Sequence, residues 1–248
     1  MDKGLERMQR HFYVTDRRIS MTIERLDRTF ALAYECLRRK INGGRIQVAN
    51  EASLQLQFAA ILKSVGELLE AERSEFFSIE LEKPVYSAND VFGKSGSKNA
   101  KIDILFSFTN AETKEVHRCA VEMKYFQRKN HREPNNRYDV FADIKNLENY
   151  GDFAEKCYLL VATDHNHYVD HAAYKAATAA FDFRDGRSYV SGTKAEYRTE
   201  KGYGDPITLQ GSYDFKWDAT AGGLHFLQLA IDPQFNAARL SDVPSHKA

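Results

Sequence analysis

Long apolar runs are missing from this 248-residue chain. No stretch approaches the roughly 18 residues that a membrane span requires, and the opening segment, Met1 to Val14, is too charged for a secretory signal. Cysteine is scarce. Cys36, Cys119 and Cys157 lie far apart and form no CxxC, which argues against a disulfide framework and a zinc knuckle and predicts buried thiols in a reducing compartment. A charge excess of either sign is also lacking, since 35 basic residues balance 35 acidic ones. A nucleic-acid partner would therefore have to be met by a local patch. No GxxxxGK[ST] phosphate loop occurs, which speaks against a built-in ATPase motor. The expectation is a soluble cytoplasmic protein, long enough for one large domain or a core with an appendage.

What is present centres on two short stretches, Lys101-Ile102-Asp103-Ile104-Leu105-Phe106 and Ala120-Val121-Glu122-Met123-Lys124-Tyr125. Both alternate as strands do: Ile102, Ile104, Phe106 and Phe108 point one way and Asp103 the other, while Val121 and Met123 oppose Glu122 and Lys124. The connection Thr109 to Glu115 holds turn formers and charges and no apolar residue larger than Ala111, so a hairpin is predicted. The midpoint of positions 103 and 122 falls between Glu112 and Thr113, which sets Asp103 nearly opposite Glu122. Carboxylates so placed, with Cβ atoms roughly 5 Å apart, repel each other unless something offsets the charge. A hard divalent cation held through oxygen ligands does so. Lys124 emerges on the face of Glu122, where it can set an ammonium against a phosphate oxygen or help to position and deprotonate a water. A surface hairpin with an ordinary salt bridge would show the same residues.

With Asp103, Glu122 and Lys124 in these positions, the chain resembles the PD-(D/E)XK phosphodiesterase superfamily, the restriction-endonuclease-like nucleases. Ile102 stands where the nominal motif has proline, and that position bears no chemistry. The resemblance covers about residues 50 to 165. It implies an α/β fold with a restriction-endonuclease-like αβββαβ core, in which a mixed central sheet is flanked by helices. It further implies that Asp103 and Glu122 bind Mg²⁺, with Mn²⁺ able to substitute, and that Lys124 assists the hydrolytic water. The activity implied is phosphodiester hydrolysis in DNA by an endonuclease of restriction or defence type. A homodimer is compatible with that, because enzymes that cut both strands commonly pair their active sites in dimers.

The remaining chain is read around that core. Ile19, Ile23, Leu26, Phe30, Ala33 and Leu37 recur at helical spacing, and Asn42-Gly43-Gly44 ends the pattern, giving an N-terminal helical region over 1–48. Its charges suit phosphates, a partner subunit or plain solvation. A second helix opens at the N-cap Asn50 and runs to about Glu70 on Leu54, Phe58, Ile61, Val65 and Leu68. Glu51 and Gln55 project close to that stripe. The resemblance makes Glu51 an auxiliary acid of the metal site and Gln55 a positioning residue; a carboxylate serving the helix dipole explains Glu51 equally well. Glu75 to Tyr86 reads as a strand, Ser87 to Asn99 as a polar loop, Asp139 to Tyr150 as a helix and Lys156 to Thr163 as a central strand. The nuclease core is accordingly set at 49–182, followed by a β-rich extension of the same domain over 183–248.

Directly after Lys124, Arg128, Lys129, Arg132 and Arg137 against Glu133 leave a local charge of +3. Those four cations are candidates for nucleic-acid phosphate contact, with generic loop charge as the alternative. His165, His167 and His171 invite a transition-metal reading, because His167 and His171 stand one helical turn apart; capping of a helix over His171 to Phe181 accounts for the same residues. The aromatics Tyr189, Tyr197, Tyr203, Tyr213, Phe215 and Trp217 fit either edge strands packed on the core or a surface that grips DNA by stacking. Two functions stand beside the nuclease: a catalytically silent nuclease-fold protein that binds nucleic acid or a protein partner, and a zinc hydrolase built on the histidine segment.

Overall fold

The structure, a computed structural model, describes residues 3–85, 100–218 and 223–234, with backbone alone for 3–22. The polar stretch Ser87 to Asn99 lies outside the described residues. Helix α1 (Lys3–Asn42) begins well before Ile19 and stops at the Asn-Gly-Gly signal, where Gly44 takes φ +68°. Its Leu26, Phe30, Ala33 and Leu37 are buried at the predicted spacing. Helix α2 (Glu51–Leu68) opens on a reciprocal cap: Asn50 Oδ1 accepts from the Ser53 amide at 2.8 Å, and Ser53 Oγ accepts from the Asn50 amide at 3.1 Å. It buries Leu54, Phe58, Ile61 and Leu62, whereas Leu68, expected in the stripe, is 84% exposed at the helix end. The helix approaches β1 at Gly66, where a Cβ would fall 2.4 Å from the Phe77 ring, and Leu62 takes up the core position.

Strands β1 (Glu75–Val85), β2 (Ala100–Asn110) and β3 (Val116–Phe126) follow, then α3 (Glu133–Glu148) and β4 (Lys156–Thr163). Short strands β5 (Ser188–Tyr189), β6 (Lys194–Ala195), β7 (Ile207–Thr208), β8 (Tyr213–Asp214) and β9 (Trp217–Asp218) precede β10 (His225–Ile231). The central sheet has the order β1-β2-β3-β4-β10-β9, and β3 and β4 run parallel while its other neighbours are antiparallel. A parallel pair needs a crossover; α3 supplies it. The molecule is thus α/β with a mixed sheet, and its middle has the expected order helix, three strands, helix, strand.

Both faces of the sheet are covered. Helices α1 and α2 pack on Ile104, Phe106, Val121, Met123 and Leu160, while α3 and the C-terminal segments pack on Leu105, Ala120, Leu159 and Val161. Coverage on both sides explains why β4 reads as an unbroken apolar run. Ile102 leaves the stripe predicted for β2 and packs with Val85 in the α3-side core. The irregularity lies one residue away. Glu82 is left-handed at φ +53°, and the β1–β2 ladder pairs Leu81 with Ile104 and Lys83 with Ile102 but skips Glu82 and Asp103. The helix expected over His171 to Phe181 does not form. There the Arg137 guanidinium claims the backbone oxygens of Thr178 at 3.0 Å and Phe181 at 3.1 Å, and only a short turn, Ala176–Thr178, remains. No helix among the described residues is long and apolar enough to cross a membrane.

Candidate active site

The β2–β3 hairpin has the predicted register, from Thr109 opposite Val116 to Ile104 opposite Val121. One further step places Asp103 against Glu122, and here the backbone ladder stops. In its place Asp103 Oδ2 accepts from the Met123 amide at 2.7 Å. Two residues on, the Tyr125 amide, which faces the same strand edge, donates to Glu51 Oε2 at 3.0 Å. The edge of β3 that β2 abandons is therefore capped by two carboxylates, one from β2 and one from the first turn of α2. The skipped pairing at Glu82 leaves the Asp103 carbonyl to another donor, Gln55 Nε2, at 2.6 Å; the same amide reaches Glu82 Oε1 at 3.1 Å. Gln55 thus holds the backbone that carries Asp103.

Glu122 and Lys124 occupy the opposite parity of β3, on the side of α3. Glu122 is fully buried and accepts from the Tyr150 hydroxyl at 3.2 Å. Lys124 Nζ lies 3.3 Å from the Met123 carbonyl and 2.7 Å from Asp143 Oδ2 on α3. The latter contact is an ion pair without the geometry of a directed hydrogen bond. Burial alone would depress the Lys124 ammonium, but Asp143, Glu51, Asp103 and Glu122, in that order, hold it well above the ordinary lysine range. Lys124 is therefore a fixed cation, not a proton acceptor, in the resting site. Glu51 is exposed as a residue at the start of α2, yet its carboxyl reaches inward: burial raises its pKa, as do Asp103 and Asp143, against the opposing pull of Lys124 and the Tyr125 amide. Asp103 and Glu51, nominated from sequence, thus cap the amides on either side of Lys124, and with Glu122 they act on its charge.

Four carboxylates against one ammonium leave three negative charges when all are ionised. Oxygen donors with that excess suit a hard cation such as Mg²⁺, although no three His, Cys, Asp or Glu side chains among the described residues form a ready metal cage. Sequence reasoning missed Asp143, and its neighbour Asp139 one turn earlier on α3. Burial raises the Asp139 carboxyl, as does Asp143, while Lys124, Arg132 and the nearby Tyr203 hydroxyl oppose that. The i, i+4 spacing of the two aspartates was visible in the sequence; that their face would meet Lys124 was not.

Of the four candidate phosphate contacts, Arg128 and Lys129 are exposed on a short turn, Arg128–Asn130, and Arg132 is exposed just before α3. The Arg128 amide donates to Asp164 Oδ1 at 2.7 Å, which ties the turn to the end of β4. Arg137 has to be removed from this set. It is 2% exposed, and besides the two carbonyls described above it donates to Thr178 Oγ1 at 2.6 Å and lies 3.7 Å from the Tyr174 ring centroid. The histidines line a separate cavity of about 410 Å³ with Arg128, Asp164 and Asp170. His167 and His171 ring centroids are 4.7 Å apart, and burial, then His171, pushes the His167 pKa down to about 4. His165 Nε2 is held 3.1 Å from Glu133 Oε1.

Compared with protein-family models, with curated proteins and with solved structures, the chain matches none.

Proposed function

We propose that the chain is a metal-dependent nuclease with a restriction-endonuclease-like core, hydrolysing phosphodiester bonds in DNA as an endonuclease of restriction or defence type. The observation that carries this reading is the gathering of Asp103, Glu122 and Glu51 around the Lys124 ammonium where β2 parts from β3. Asp103, Glu122 and Glu51 would hold Mg²⁺, or Mn²⁺ in its place. The cation would supply Lewis-acid stabilisation of the phosphoryl oxygens and lower the pKa of a bound water. Lys124, kept protonated by its carboxylate neighbours, would set a positive charge against the negative charge on the phosphoryl oxygens. Asp143 keeps that ammonium in place, and Gln55 fixes the Asp103 backbone. Arg128, Lys129 and Arg132 would meet the flanking phosphates without reading bases.

The test is incubation of supercoiled and linear DNA with Mg²⁺ or Mn²⁺. Cleavage by the wild type that is lost in Lys124→Ala supports the reading; equal cleavage by both defeats it. A second reading, a catalytically silent protein of the same architecture that binds nucleic acid or a protein partner, is favoured by one observation. Lys124 already has an ion-pair partner at 2.7 Å, and Glu122 is sealed beneath Tyr150. DNA binding that needs no metal, with no turnover under any metal, distinguishes it.

A further inference from the structure

The C-terminal aromatics divide sharply by exposure. Tyr213, Phe215 and Trp217 are buried in the core, Tyr189 and Tyr197 are partly buried against it, and Tyr203 alone of the set is 39% exposed. Its position is built. Tyr203 sits between Gly202 and Gly204, and a Cβ on Gly204 would fall 2.3 Å from Tyr138 Cζ, so only glycine lets the loop press this close. The Tyr203 ring meets Tyr138 edge-on, with centroids 5.5 Å apart and an interplanar angle of 90°, and Tyr138 in turn stacks on Tyr197 at 5.8 Å. The Tyr138 hydroxyl donates to the Asp205 carbonyl at 3.1 Å, which closes the loop on α3.

This aromatic column stands beside the carboxylate site. Tyr138, the ring that Tyr203 meets, is followed on α3 by Asp139, one helical turn before Asp143, which pairs with Lys124. Exposed Arg132 acts on the same Asp139, and Lys201 is exposed within the loop itself. An aromatic ring rimmed by cations and adjoining a phosphate-handling site has the chemistry of a nucleobase platform, since every base offers a π-face and the cations track the backbone. In an intact duplex the base faces are already stacked on one another. We propose that Tyr203 stacks an unpaired nucleobase next to the scissile phosphate, so that the preferred substrate carries a single-stranded or extruded nucleotide at the cut. This inference rests on the nuclease reading for its location and deepens it by naming the substrate class.

The test has two arms that need no turnover. A single-stranded oligonucleotide bearing 5-iodouracil, irradiated on the wild-type protein in EDTA, is expected to cross-link to the peptide carrying Tyr203, and the same sequence as a duplex is not. By fluorescence anisotropy, Tyr203→Ala should bind the single strand about tenfold more weakly or worse, whereas Tyr203→Phe, which keeps the ring and loses only the hydroxyl, stays within about twofold. Equal affinity of wild type and Tyr203→Ala overturns the inference. So does a loss in Tyr203→Phe as large as in Tyr203→Ala, because the hydroxyl and not the ring would then carry the binding. Ring-dependent single-strand binding by a protein that cleaves nothing leaves this inference standing and removes the hydrolytic reading. Normal cleavage with no dependence on the ring does the reverse.

Discussion

Lys124 illustrates how a neighbourhood decides a residue's role. A buried amine tends to lose its proton, and four carboxylates reverse that tendency. Asp143 is the nearest of them, and Asp143→Asn is expected to slow cleavage about 10- to 100-fold, as removal of an orienting partner does. Asp143 raises the Lys124 pKa, so its loss lowers it, and the alkaline limb of the pH–rate profile should move to lower pH. A variant that merely loosened packing would cut the rate without moving that limb. Glu51 gives a stability prediction with the opposite sign. Its carboxyl pKa is raised in the fold, so ionisation opposes folding at neutral pH and ceases to do so as pH falls toward the ordinary glutamate value of 4.5. Without metal, Glu51→Gln should therefore melt higher than the wild type at pH 7, with the difference closing in acid. Added Mg²⁺ should raise the wild-type Tm more than that of the variant, because the cation relieves the same repulsion.

Among elements, α2 delivers Glu51 and Gln55, and it does so from a capped start. Asn50→Ala removes the acceptor of the Ser53 amide and should cost about 1 kcal/mol in urea unfolding. Because Glu51 follows the cap directly, the same variant is expected to weaken the Mg²⁺-dependent rise in Tm. Periodicity and capping residues made α2, the β2–β3 hairpin and its register legible in the sequence, and with them Asp103, Glu122 and Lys124. Local patterns of that kind carry their own signal. Arg137 was misplaced because a loop cation and a buried one look alike until a partner is known, and its partners Thr178 and Phe181 lie about forty residues downstream. The helix expected at His171 to Phe181 failed for the same reason, since a side chain from α3 takes its carbonyls. Glu82 gave no sign of its left-handed backbone, a conformation that costs of order 1–3 kcal/mol in a residue with a side chain. It is the break opposite Asp103 that this conformation creates that frees the Asp103 carbonyl for Gln55.

At the scale of the whole molecule, zero net charge means that any hold on DNA is local. Neutralising Arg128, Lys129 and Arg132 together should flatten the slope of log K against log salt by about two to three, at roughly 0.9 per lost duplex phosphate contact. Buried Arg137, mutated alone to Ala, should leave the slope unchanged. Both cores meet at the sheet, and the site lies where the sheet opens: α2 contributes Glu51 from one side, α3 contributes Asp143 from the other, and β3 runs between them. The central claim is that the carboxylates gathered there hold a divalent cation. Electron paramagnetic resonance titration of Mn²⁺ into the wild type, Asp103→Asn and Glu122→Gln measures that occupancy without reference to turnover. The account predicts a saturable site in the wild type that both substitutions weaken at least tenfold, with the fold retained by circular dichroism. Mn²⁺ binding of equal strength in all three proteins would contradict it.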